Sequence, residues 1–135
     1  MDTYVYSIET GHQRGIFDLT ADATRFVTGR GDGLLNVFVP HATAGIAIIE
    51  TGAGSDIDLM NALDHLLPRD DRRYRHQHGS PGHGADHVMP GIVAPSAVVP
   101  VIDGRLALGT WQSIALVDPN EDNPERTIRL SFIPG

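Results

Sequence analysis

The chain has 135 residues, 41% hydrophobic and 20% charged, which fits one globular domain, residues 1–135, with room for a proper core. Its ten basic residues are all arginine and face 17 acids, for a formal net charge of −7; that balance argues against a general nucleic-acid binder, which needs a dense basic surface. Cysteine and lysine are both absent, so disulfide frameworks, thiolate zinc ribbons, thiol nucleophiles, Schiff-base chemistry and a P-loop lysine are excluded.

No run approaches the roughly 18 apolar residues of a membrane span, and the first residues lack the basic-then-apolar order of a signal peptide. The expectation is a cytoplasmic protein with neither membrane nor nucleic-acid partner. Residues 4–8 and 15–19 alternate as half-buried strands around a turn at Gly11. Thr20 then reads as the N-cap of a helix over residues 21–26, closed by Gly31 and Gly33. Residues 34–39 and 45–49 are apolar, β-branched runs that predict two buried strands, separated by His41, Ala42 and Thr43. Ser55 and Asp58 have the spacing of a capping box, and Leu59, Met60, Leu63, Leu66 and Leu67 repeat at helical spacing until Pro68. Residues 69–78 are strongly polar, and residues 79–84 read as a loop; a short helical segment over 87–93 is interrupted by Pro90. Asp103-Gly104 between residues 97–102 and 105–108 predicts a hairpin with a type I′ turn, with Pro100 marking an edge or a bulge. Residues 111–117 and 127–133 complete the β region around a polar loop at 118–124. The fold class is α+β, mainly antiparallel sheet, sandwich-like, flanked by two or three helices.

Histidine is the feature that points to chemistry. Four of the seven, His76, His78, His83 and His87, fall within twelve positions. Imidazole is a common metal ligand and titrates near neutrality. His76 and His78 would share one face if extended; His83 and His87 would do so on a helix, which Gly82 and Gly84 disfavour. A catalytic zinc takes three protein ligands, and His41 could supply the third from the β region. The alternatives to this metal or acid–base site are a solvated His-rich loop and a structural His41. Glu50, at the end of a buried strand, reads equally as a ligand or base and as a strand terminus. TGAGS, residues 51–55, could cradle phosphate at a helix start, although the surrounding acids oppose an anion. Arg72, Arg73 and Arg75 balance nearby acids, with Arg75 placed to hold phosphate beside His76. Trp111 reads most simply as core, and Gln112 as a polar side chain lining a site.

These segments resemble the YjbQ family. PSAVVPVIDGRLALGTWQSIAL matches its signature in spacing and composition, and HATAGIAIIE its HTSAGI block with a following glutamate. DLMNALDHLLP resembles its central helix, Tyr74–His76 its Y-x-H, and His87 the histidine that ends its Asn-rich loop. The chain departs from the pattern at Ala42 and Thr43, at Thr51, at His83 (where asparagine is usual) and at Ala94. The resemblance implies a homotrimer with a polar pocket near the subunit boundary, formed by His41, His76 and His87. It also implies a secondary thiamine-phosphate synthase activity, a weak transfer joining a pyrimidine diphosphate to a thiazole phosphate. On that reading His41, His76 and His87 bind a divalent ion, magnesium or zinc, or exchange protons. Glu50 serves as ligand or base, Thr43, Arg75 and Trp111 contact a small phosphorylated substrate, and Gln112 orients it. The alternatives are a metal-dependent hydrolase of a small phosphorylated metabolite and a non-catalytic trimeric metabolite- or metal-binding protein.

Overall fold

The structure, a computed structural model, describes residues 1–77 and 79–135. Its strands are β1 (Asp2–Glu9), β2 (Gly15–Asp18), β3 (Gly33–Phe38), β4 (Gly45–Ile49), β5 (Ser96–Ile102), β6 (Arg105–Leu106), β7 (Ser113–Asp118) and β8 (Glu125–Pro134). The helices are α1 (Thr20–Val27), α2 (Ser55–Leu66) and α3 (His83–Val88), with 3-10 turns at Asp71–Arg73 and Met89–Gly91. Two antiparallel sheets result, one ordered β1-β8-β3-β5-β6 and the other β2-β7-β4. Among the described residues no helix is long and apolar enough to cross a membrane.

The strand alternation places the core. Leu35 and Val37 of β3, Val99 and Val101 of β5, and Ile128, Leu130 and Phe132 of β8 face inward. They pack with Ile46 of β4 and with Ile114 and Leu116 of β7, and α1 adds Ala23 and Val27. The other face of the small sheet is covered too: Val117 of β7 packs with Leu63 of α2 and with Met89. Strand β7 is therefore buried on both sides, which is why residues 114–117 are continuously apolar rather than alternating. The hairpin turn has the expected form, with Asp103 and Gly104 at φ of 52° and 71°. Pro100 turns its carbonyl toward the β6 side, where it accepts from the Ala107 N–H at 2.9 Å. Its missing donor thus faces the side on which the two-residue β6 has already ended.

Four local expectations are corrected. Thr20 is the first helical residue of α1 rather than its cap; Asp18 accepts its N–H at 2.8 Å, while its hydroxyl accepts from Ile114 N–H at 2.9 Å. Gly54, at φ 105°, occupies the cap of α2, so the Ser55–Asp58 box does not form. Trp111 is 73% exposed and lies outside the core. The helical segment placed at 87–93 instead runs as α3 from His83 to Val88, so His83 and Gly84 are helical rather than loop. Contacts with the rest of the chain explain this last departure. Gly82 takes a left-handed φ of 88° at the helix start, and a side chain on Gly84 would come 2.6 Å from Tyr74 Cβ. Glycine here permits close approach, and tertiary contacts hold a helix too short to persist alone.

Candidate metal centre

Helix α3 presents His83 and His87 four residues apart on one face, as helical geometry dictates. Tyr74 packs against Gly84 and anchors the segment that brings His76 to the same place. The ring centroids of His76 and His83 are 4.9 Å apart, those of His76 and His87 4.2 Å, and those of His83 and His87 4.3 Å. One ligand atom from each of the three lies within 4.8 Å of the others, which lets one ion with bonds of about 2.0–2.1 Å be held after small ring adjustments. All three rings are half-buried. The donor set fits a metal: three imidazoles, one of them backed by a carboxylate. Asp122 Oδ2 lies 3.2 Å from His83 Nδ1, an arrangement that fixes the lone pair on Nε2. The Ser80 hydroxyl, with Asn120 and His83, holds Asp122 below the usual carboxylate range against the opposing effect of burial.

A cavity of about 260 Å³ opens beside the cluster, lined by Asp71, Arg72, His76, Gln77, Ser80 and His83. A second, shallower depression of about 280 Å³ lies on the other side, where His83 and His87 meet His41, Thr43, Asn120 and Arg126. Its floor is a buried ion pair: Arg126 donates to both Asp118 oxygens, at 2.8 and 2.7 Å, and to the Thr43 hydroxyl at 2.9 Å. Arg126 is 1% exposed, so its charge is spent on Asp118.

The structure divides the predicted site residues into two groups. His76 and His87 converge, and His83 stands where His41 was expected as the third member. His41 lines the depression but lies outside the cluster, because its Nε2 accepts the Thr127 N–H at 2.9 Å. Burial, together with the Arg126 guanidinium, lowers its pKa, with Asp118 opposing. Thr43 is 8% exposed and held by Arg126. Arg75 is exposed, and Arg72 rather than Arg75 lines the cavity, its guanidinium paired with Asp70 at 3.0 Å.

Glu50, Trp111 and Gln112 sit at the opposite end of the small sheet. Register pairs Ile49 with Ser113 at that end and Gly45 with Val117 at the histidine end. The two ends are about 15–20 Å apart at the rise of a strand. Gln112 accepts the Gly109 N–H at 2.7 Å and lines a separate groove of about 690 Å³ between α1 and the β5–β6 hairpin. His78, which would share a face with His76 if the segment were extended, lies outside the described residues.

Several polar residues at the histidine end escaped the sequence reading. They are Arg69, Asp86, Asp118, Asn120, Asp122 and Arg126. The alternation of Asp118, Asn120 and Asp122 in a stretch read only as polar loop was the available signal, since such side chains tie turns to their own backbone.

The sequence matches the family described as UPF0047 protein YjbQ-like over residues 4–135. It is 64% identical over 135 residues to the UPF0047 protein Rv2556c of Mycobacterium tuberculosis, covering 100% of both chains. It is 35% identical to the UPF0047 protein YugU of Bacillus subtilis, covering 79% of this chain and 81% of that one. Among solved structures, a hypothetical protein from Aeropyrum pernix superposes with a TM-score of 0.88 at 30% identity, covering 100% of both chains. A YbjQ-like protein of unknown function from Sulfolobus solfataricus gives 0.87 at 25% identity, covering 99% of this chain and 100% of the other. The chain belongs to the YjbQ (UPF0047) family.

Proposed function

We propose that this protein is a metal-dependent enzyme acting on a small phosphorylated metabolite, with His76, His83 and His87 as the ligands of a zinc-class ion. The convergence of these three imidazoles is the observation that carries the reading. Magnesium favours oxygen donors and keeps its waters, whereas imidazole nitrogen suits zinc, so the donor set selects between the two ions expected. Such an ion would supply Lewis acidity at the coordination position that three protein ligands leave open. The chain's own residues do the rest. Asp122 orients His83, and Arg72 puts a cation at the wall of the adjoining cavity. In a chain of net charge −7, a phosphate group depends on the ion and on that arginine.

Within this class the family resemblance favours a secondary thiamine-phosphate synthase type of transfer. The three-imidazole set favours hydrolysis as the second reading, because it leaves one position for water or substrate. We also propose that the chain works as a homotrimer. Val5, Leu34, Val98, Ile102 and Ile133 are 43–61% exposed on one face of the large sheet, an apolar surface suited to burial against further copies.

The test is to strip the protein with a chelator, reload it with zinc or magnesium, and supply a pyrimidine diphosphate with a thiazole phosphate, or a phosphomonoester alone. Zinc-dependent product formation that disappears in His87→Ala supports the reading, and the product formed separates transferase from hydrolase. Failure to bind zinc, or turnover that persists in His87→Ala, overturns it. Light scattering in solution should give three times the 14.5 kDa chain mass; a monomer would contradict the trimer.

A further inference from the structure

The β7–β8 loop, read from sequence only as a polar connection, reaches the histidine cluster through one buried amide. Asn120 is 2% exposed and uses its side chain and backbone N–H in four hydrogen bonds. Its Nδ2 donates to Asp86 Oδ2 at 2.9 Å and to Asp122 Oδ2 at 3.4 Å. Its Oδ1 accepts the Asp122 N–H at 2.9 Å, and its own N–H donates to Asp118 at 3.1 Å. Asp86 is 1% exposed and sits on α3 between His83 and His87; Arg69 donates to its other oxygen at 2.5 Å. Asp122 is the carboxylate facing His83.

From this geometry we infer that Asn120 is a positioning residue for the metal centre: it locks helix α3, through Asp86, to the carboxylate that orients His83. The inference rests on the proposed metal reading of the three histidines. Geometry makes the amide the right group. Two carboxylates, Asp86 and Asp122, converge on one Nδ2, whose two N–H groups can donate one to each. An aspartate of the same shape would present oxygens to oxygens. With the amide in place, the Asp122 carboxylate is held at both its backbone and its side chain, so the His83 ring has a fixed partner rather than a mobile loop.

A purely structural Asn120 would lower stability without a specific link to His83, so the test reads zinc affinity and its coupling. Zinc is titrated calorimetrically into wild type, Asn120→Ala, Asp122→Ala and the double variant, with thermal melts of each alongside. Loss of a group that orients a metal ligand costs about 10–100-fold in affinity. Asn120→Ala is expected to fall in that range, and in the Asp122→Ala background the same change should cost less than about threefold, because the two act on His83 through one path. If Asn120→Ala does not fold, Asn120→Ser replaces it: the hydroxyl is too short to bridge Asp86 and Asp122, and the same loss is expected. Zinc affinity within twofold of wild type in the folded variant, or losses that simply multiply in the double variant, would overturn the inference. His87→Ala separates the two levels of the account. If it loses zinc while Asn120→Ala retains it, the positioning role alone fails; if wild type and His87→Ala bind alike, the metal reading fails and takes this inference with it.

Discussion

The two ends of the small sheet treat their polar residues in opposite ways. At the histidine end, Asp118, Arg126, Asp86 and Asn120 are each no more than 2% exposed, and every one has a named partner. At the other end, Trp111 is 73% exposed, Gln112 bonds to Gly109 within its own turn, and Glu50 is half-buried at a strand terminus. Burying polar groups costs stability unless partners are supplied, so the end at which the chain does so is the end at which geometry is being fixed. That contrast, more than the count of histidines, is the reason the proposed centre is put at the histidine end.

The largest effect should come from breaking the buried pair. Arg126→Met leaves Asp118 charged and unpaired at 0% exposure, and about 3–5 kcal/mol of stability should be lost in urea unfolding. The equivalent change at the other end, Glu50→Gln, should stay within about 0.5 kcal/mol. A small loss for Arg126→Met would erase the distinction between the ends. Next comes Gly84→Ala: the added methyl must push Tyr74 from α3, costing about 1–3 kcal/mol and weakening zinc binding as His83 and His87 move relative to His76. Unchanged stability there would mean that α3 is less tightly seated than its contacts indicate.

A smaller effect concerns pH. His41 is held below the ordinary imidazole value of about 6.5 by burial and by Arg126. The unfolded chain therefore takes up this proton first as pH falls. His41's contribution to stability is present above about 6.5 and is lost as pH drops through the lower folded-state value. Protonation at Nε2 would also remove the acceptor for the Thr127 N–H. The melting temperature should decline on acidification from about pH 6.5, and His41→Asn should flatten that part of the profile. A steeper decline in the variant would contradict the assignment. The smallest effect is expected from Trp111→Ala and Gln112→Ala, with zinc affinity within twofold of wild type and stability within about 0.5 kcal/mol. A larger loss of zinc binding would join the two ends functionally.

Much of the fold was legible because it rests on local rules. Alternation marked β1, β2 and β8, apolar β-branched runs marked β3 and β4, the Asp103-Gly104 pair marked the β5–β6 hairpin, and the leucine spacing marked α2. Helix α3 was not legible, because two glycines at its start reverse ordinary propensity and are explained only by Tyr74 and Arg69 pressing against them. The misplacement of His83 followed directly, since a loop gives no reason for it to share a face with His87. His41 was drawn into the ligand set by residue type, but its lone pair was already taken by a backbone donor 86 positions away. Glu50 and Gln112 sit at the end of the small sheet away from the three histidines, a separation that strand register shows and composition does not. Asn120 and Arg126 act through burial and partners far along the chain, neither of which spacing reveals.

The most direct test of the account is a calorimetric zinc titration of four single variants beside wild type. Wild type should bind one ion per chain; His76→Ala, His83→Ala and His87→Ala should each lose that site, while His41→Ala keeps it. Binding retained after His83→Ala, or lost only after His41→Ala, would contradict the centre described here.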